Sequence, residues 1–181
     1  ITGQKELEEI HIPLDGYLGN QPVRIGNKAY LQTQNDVYGQ VLVGLLPLFI
    51  DRRLGFSKKR HYKPLVDRLL KWIEHTMDEP DAGLWEFRNV KQVHTYTLLF
   101  HWAGCKAAIK IGTLMHDTEL MNRAELLSKM AAERIEKCYN AEQGVYMQAL
   151  GSHHLDASTL KLITMNYLDP TSAKAKQHLL E

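Results

Sequence analysis

Cysteine, long apolar runs and surplus charge are all scarce in this chain, and each scarcity removes a class of function. Two cysteines, Cys105 and Cys138, cannot build a disulfide framework, and both fall in helical patterns that read as buried thiols. No apolar run approaches the ~20 residues of a membrane span. With 22 Lys and Arg against 21 Asp and Glu, a net charge of +1 gives no pull toward nucleic acid or an anionic membrane. One basic cluster, Arg52, Arg53, Lys58, Lys59, Arg60 and Lys63, reads as a solvated connection between helices. There is no glycine-rich phosphate loop and no nucleophile elbow, so phosphoryl transfer and serine hydrolysis find no support. Nine histidines are present, but His153 and His154 are adjacent and have no cysteine or carboxylate nearby to complete a zinc pattern. No metal and no cofactor is expected. The opening "ITGQKELEE" lacks signal-peptide character, which makes the cytoplasm the expected location. It also lacks a leading methionine, so the natural N-terminus is expected elsewhere.

What the chain does have is helical periodicity. A hydrophobic fraction of 44% over 181 residues is enough for one domain with a sizeable core. Six helical segments are predicted: Ala29 to Leu54, His61 to Met77, Thr95 to Met115, Asp117 to Tyr139, Asp156 to Tyr167, and Ser172 to Leu180. The first, third and fifth are apolar around much of their circumference. The second carries a stripe of Leu65, Leu69 and Ile73, the fourth one of Leu120, Ala124, Leu127, Ala131, Ile135 and Cys138. A helix apolar all round is enclosed by protein, and one with a single stripe faces solvent on its other side. The alternation predicts an all-α array of inner and outer helices.

Connections alternate too. Those after inner helices are short (Gly55 to Arg60, His116, Asp169 to Thr171), and those before them are long (His11 to Lys28, Asp78 to His94, Asn140 to Leu155). In an up-and-down array the three long loops share one face, and long loops on a rigid scaffold commonly carry function. On that face lies "PDAGLWEFR", with Glu86 between Trp85 and Phe87. If the two rings desolvate it, they would keep the acid protonated near neutrality, fit to protonate a leaving oxygen. The alternative is a Glu86 that caps a turn or pairs with Arg88 while Trp85 packs in the core. Asp156, before "AST", reads as a helix N-cap, and Asp81 first of all as part of a turn.

Three segments, "GYLGNQPVRIGNKAYLQTQNDVYGQVL" (Gly16 to Leu42), "PDAGLWEFR" (Pro80 to Arg88) and "LDASTL" (Leu155 to Leu160), resemble glycoside hydrolase family 15 in order and spacing. This is the family of glucoamylases, glucodextranases and certain bacterial trehalases. The resemblance implies an (α/α)6 toroid, of which six helices are about half. It implies an inverting α-glucoside hydrolase acting on an α-linked glucose disaccharide or oligosaccharide, with Glu86 as general acid. Leu84 and Trp85 match residues lining the sugar site, and Arg88 matches the arginine that follows the acid in bacterial members. Gln34 and Asp36, in "QND", resemble a segment near the site, and Arg24, in "PVRIGN", joins them as a candidate substrate contact.

The match departs from the family after the acid. Where members usually read F-T-x-S-K, this chain has His94, Thr95, Tyr96, Thr97 and Leu98, and Phe87 stands where fungal members carry a second glutamate. Both departures point to a divergent subgroup. The family's general base lies well beyond "LDAS", and its tryptophan-arginine-aspartate segment precedes the region that Ile1 begins. Residues 1–181 are therefore expected to be one partial domain lacking N-terminal and C-terminal portions, inactive in isolation. Its exposed apolar helix faces are expected to promote self-association. A noncatalytic sugar-binding or regulatory toroid is the alternative, because the fold does not guarantee activity.

Overall fold

A computed structural model describes residues 8–26, 29–54, 59–87 and 90–181. The chain divides into two units, Ile1–Thr33 and Gln34–Glu181. In the first, β1 (Ile10–Ile12) and β2 (Val23–Ile25) pair antiparallel, with His11 opposite Arg24. The sequence reading made this stretch a loop, because three-residue strands are too short to show a period of two. Arg24 Nε meets Glu9 Oε1 at 3.1 Å and donates to His11 Nε2 at 3.3 Å.

The second unit holds the helices: α1 (Asp36–Ile50), α2 (Lys63–Thr76), α3 (Thr95–Met115), α4 (Thr118–Lys137), α5 (Lys161–Thr164) and α6 (Ala173–Leu180). A small antiparallel pair, β3 (Tyr139–Asn140) and β4 (Val145–Tyr146), follows α4. Helix α3 is the inner element, with buried residues on every side, and α1 and α4 pack against it. Both its ends fall where the sequence places them. His116 closes it in the left-handed region at φ 55°, and Asp117 N returns to Gly112 O at 2.9 Å. Asp117 then caps α4 by accepting from Leu120 N. The α4 stripe is buried as expected, Cys138 included, and both cysteines are free.

Three sequence expectations need correction. The first helix starts at Asp36 rather than Ala29, because Asn35 N, which a longer helix would turn back on its own carbonyls, donates to Asp81 Oδ2 at 2.8 Å. It ends at Ile50, where Asp51 accepts from the backbone and guanidinium of Arg53. On α2 the buried stripe is Val66, Leu69, Leu70 and Ile73, and Leu65 is 39% exposed. The fifth segment is a 3-10 turn, Ala157–Leu160, running into the four-residue α5. It stops because Asn166, at φ 58°, takes the left-handed conformation that asparagine tolerates, while Tyr167 N and Leu168 N both return to Leu162 O. The basic cluster is only partly described: Lys58 lies outside the described residues, and Lys63 pairs with Asp117 at 2.8 Å and Asp67 at 3.3 Å. No described helix is long and apolar enough to cross a membrane.

Two of the three long loops do come together. Thr95 N donates to Gln148 O and Leu150 N to Val93 O, so residues 92–95 and 148–150 run side by side at the start of α3. The third loop belongs to the first unit. Farther along, Glu136 of α4 accepts from Tyr167 OH, Tyr146 OH and Lys174 Nζ at 2.7–2.9 Å, tying α4 to β4 and α6. Burial works to raise its carboxyl, but the three donors outweigh burial and hold it below the ordinary glutamate value.

Helices α1 and α3 cross backbone to backbone. A Cβ on Gly39 would stand 1.9 Å from Phe100 O, and one on Gly104 would stand 2.6 Å from Gly39 Cα. Neither neighbour is a flexible side chain, so the helices themselves must part. Gly39→Ala should therefore destabilise the chain by about 3 kcal/mol or more in urea unfolding. Gly44→Ala, also in α1 but with nothing within 4 Å of its Cβ, should instead gain about 0.5–1 kcal/mol from helix propensity.

Candidate active site

Asp81 is the root of the site. Its side chain is fully buried, a costly place for a carboxyl unless donors surround it. Three do. Asn35 N and Thr97 Oγ1 donate to Oδ2 at 2.8 and 2.9 Å, and Gly83 N donates to Oδ1 at 3.1 Å. Its backbone pairs with Gln92 in both directions. His94 Nε2 stands 3.9 Å from Oδ1. The sequence saw a turn signal here, and the turn is real, but its anchor reaches residues 46 positions away in the chain.

Gly83 leads from this root into the exposed turn. It sits at φ 64°, and a Cβ there would stand 2.6 Å from His94 Nε2, so glycine is required twice over. Gly83 O then accepts from Glu86 N at 3.3 Å and from Gln34 Nε2 at 3.2 Å, closing the turn over Leu84 and Trp85. Glu86 ends it at φ 54°, exposed at the surface. At the tip, Trp85 Nε1 donates to Asp156 Oδ2 at 2.7 Å.

The expected aromatic enclosure of Glu86 is not there. Trp85 is 58% and Phe87 47% exposed and Glu86 is itself exposed, so the two rings do not bury the acid, and Trp85 is not in the core either. Of the other candidate residues, Leu84 is 39% exposed on the same turn, and Gln34 supports the turn through Gly83. Asp36 lies at the start of α1 and is 4% exposed, with Oδ2 accepting from Gln40 Nε2 and Oδ1 having no protein partner among the described residues. Burial first, then the nearby Asp81, pushes its carboxyl above the ordinary aspartate value. Arg24 belongs to the first unit, paired as described above, and Arg88 lies outside the described residues.

Sequence reasoning missed the polar layer beneath the turn. His101, fully buried, has Nε2 3.0 Å from Asn35 O. A carbonyl only accepts, so Nε2 carries the hydrogen and Nδ1 is bare, without a partner among the described residues. His94 holds the N-cap position of α3 without capping it; Thr95 Oγ1 instead donates to Met147 O at 2.6 Å. In the sequence this layer is marked only by the polar residues His94, Thr95, Thr97 and His101 at the N-cap and in the first half of α3. Among the described residues no group of three His, Cys, Asp or Glu side chains is arranged to hold a metal.

The sequence profile of glycosyl hydrolases family 15 matches residues 2–180. This chain belongs to that family. It is 27% identical over 175 residues to a trehalase of Thermoplasma volcanium, covering 96% of this chain and 28% of that protein. A trehalase of Mycobacterium tuberculosis is 25% identical over 182 residues, covering 99% of this chain and 26% of that protein. One of Mycolicibacterium smegmatis is 28% identical over 193 residues, covering 99% and 27%. The chain thus spans little more than a quarter of the length of these curated relatives. In this family member, the mostly helical second unit is consistent with part of an all-α (α/α)6 toroid.

The buried histidine makes the layer sensitive to acid. Burial pulls His101 down to about 4, against a carbonyl contact and the Asp81 charge that work the other way. Below its ordinary value near 6.5 the unfolded chain takes up a proton that the folded chain refuses until about pH 4. Stability therefore falls as pH drops through that window, by up to about 3 kcal/mol at ~1.4 kcal/mol per unit. Urea midpoints measured from pH 7 to 4.5 should decline, and His101→Gln should flatten the slope.

Proposed function

We propose that this chain carries the general-acid part of an inverting α-glucoside hydrolase site, with Glu86 as the acid. The observation that carries the reading is the pinned turn. Asp81 and Gln34 hold its root and Asp156 holds its tip, so a carboxyl group is presented to solvent on a fixed backbone rather than on a loose loop. In such a reaction Glu86 gives its proton to the departing glycosidic oxygen as the anomeric C–O bond breaks. Water adds to the anomeric carbon from the opposite side, surrendering its proton to a carboxylate base hydrogen-bonded to it, whose carboxyl group lies ~6.5–9.5 Å from that of the acid. Leu84, Trp85, Gln34, Asp36, Arg24 and Arg88 are the proposed sugar contacts, with Trp85 offering an exposed ring to an apolar sugar face.

Family membership and trehalase relatives support an α-glucoside as substrate, and trehalose is the first to offer. The share of those relatives that is matched supports a general base outside residues 1–181, which leaves this chain inactive alone. Val37 and Val41, one turn apart on α1, are both exposed, which supports self-association of the isolated chain. Sedimentation of these 181 residues as a strict monomer at high concentration would count against that.

Glu86→Gln in the complete reading frame tests the acid. With trehalose, proton NMR should show one β-glucose and one α-glucose released per bond, the mark of inversion at the attacked ring. The variant should lose roughly 10²- to 10⁴-fold in kcat while keeping its fold. Undiminished turnover would remove Glu86 from the reaction. No turnover by the unaltered protein on any α-glucoside, with sugar binding retained, would favour a noncatalytic sugar-binding or regulatory toroid.

A further inference from the structure

The Trp85–Asp156 contact does more than close a gap between two loops. Root anchors fix Gly83, but they act before the turn begins. Past Gly83, the turn's own bond from Glu86 N is long at 3.3 Å, and Leu84, Trp85 and Phe87 are too exposed for packing to restrain them. The indole bond at 2.7 Å joins the residue next to Glu86 to a different part of the fold. Its acceptor is itself immobilised. Asp156 Oδ1 accepts from Ser158 N at 2.7 Å, and Asp156 O accepts from Thr159 N and Oγ1 at 3.0 and 2.7 Å. Thr159 is buried, and its carbonyl lies 3.2 Å from His178 Nε2 of α6.

Division of labour between the two oxygens is the telling feature. A helix cap needs one acceptor, and Oδ1 supplies it. The second oxygen is spent on an indole 71 residues away in sequence, on the loop that holds the acid. An indole N–H only donates, so the contact requires an acceptor at this position.

We propose that Asp156 is a positioning residue for the general acid, acting through the Trp85 indole. It holds the tip of the turn so that the Glu86 proton meets the leaving oxygen, and it does so whatever sugar stands there. This rests on the reading of Glu86 as the acid. Proton delivery tolerates little displacement; a shift on the order of 1 Å can cost 10²-fold. The consequence is selective. Losing the tether should harm substrates whose leaving group must be protonated, and spare those whose leaving group departs unaided.

Asp156→Asn tests this in the complete reading frame. One amide oxygen can still cap Ser158 N, but the NH2 group then faces the indole N–H, donor against donor. Trp85→Phe removes the donor from the other side and leaves the cap intact. With trehalose, each variant should lose about 10- to 100-fold in kcat/KM, and the alkaline limb of the pH–rate profile should shift. With α-glucosyl fluoride, which needs no proton to leave, the loss in Asp156→Asn should stay within about threefold, and on trehalose the double variant should be no worse than Trp85→Phe alone. Should Asp156→Asn fail to fold, Asp156→Ser, whose hydroxyl can still cap the turn but is too short to reach the indole, decides by the same substrate ratio.

Equal losses on both substrates in the Asp156 variant, or losses that multiply in the double variant, would overturn the proposal and leave Asp156 a cap. Glu86→Gln run alongside separates the two readings. If it destroys trehalose turnover while Asp156→Asn matches wild type, only the positioning role falls. If Glu86→Gln keeps trehalose turnover, the acid assignment falls and the positioning role with it.

Discussion

The carboxyl group of Asp81 accepts from three parts of the chain that sequence holds far apart. Asn35 opens α1, Thr97 lies in the first turn of α3, and Gly83 begins the acid-bearing turn. All three donors lie where water does not reach. A buried carboxyl that lost one would also leave a stranded N–H or hydroxyl, at about 1–3 kcal/mol for each unsatisfied group. Replacing it by asparagine would not restore the balance, because an amide presents one acceptor where the site demands two. The beginnings of two helices and the root of the candidate site therefore stand or fall together.

That junction depends in turn on how closely α1 and α3 approach. The Gly39–Gly104 crossing brings the two backbones into contact. Asn35 lies four residues before Gly39, and His101 three before Gly104, so one helical turn above the crossing their groups face each other. Asn35 there meets His101 through its carbonyl and Asp81 through its amide. Small residues in the apolar layer thus set the spacing of the polar layer above it. A larger residue at position 39 would disturb the root of the site without touching it.

Much of this was legible in the sequence, and what was not shares a cause. Helix α3 ends and α4 begins on local signals, His116 in the left-handed region and Asp117 as a cap, so that junction could be read directly. Helix α4 stops at Lys137, short of the expected Tyr139, which opens β3. The start of α1 could not be read directly, since Asn35 N is claimed by a side chain beyond an entire intervening helix. Leu65 was assigned to the wrong face of α2 because stripes one residue apart differ by only ~100° of helix. In the candidate site, Glu86 was singled out through the motif around it, and the structure shows the turn that carries it. Asp156 was read correctly as a cap, but its second oxygen answers to Trp85, which no local pattern announces. Local chemistry fixes ends and caps; contacts across tens of residues need the fold.

Glu86 occupies a conformation that side chains with a Cβ avoid, at a cost of roughly 1–2 kcal/mol. Two of the other non-glycine residues at positive φ, His116 and Asn166, sit at helix ends. There the returning N–H groups of the following residues settle on carbonyls the helix leaves open. Glu86 ends no helix. Its left-handed backbone closes a four-residue turn whose root is a buried carboxyl and whose tip is tied by an indole, and these contacts supply what offsets the strain. A glycine at 86 would relieve the backbone at once. It would also remove the carboxyl group on which the proposed proton transfer depends.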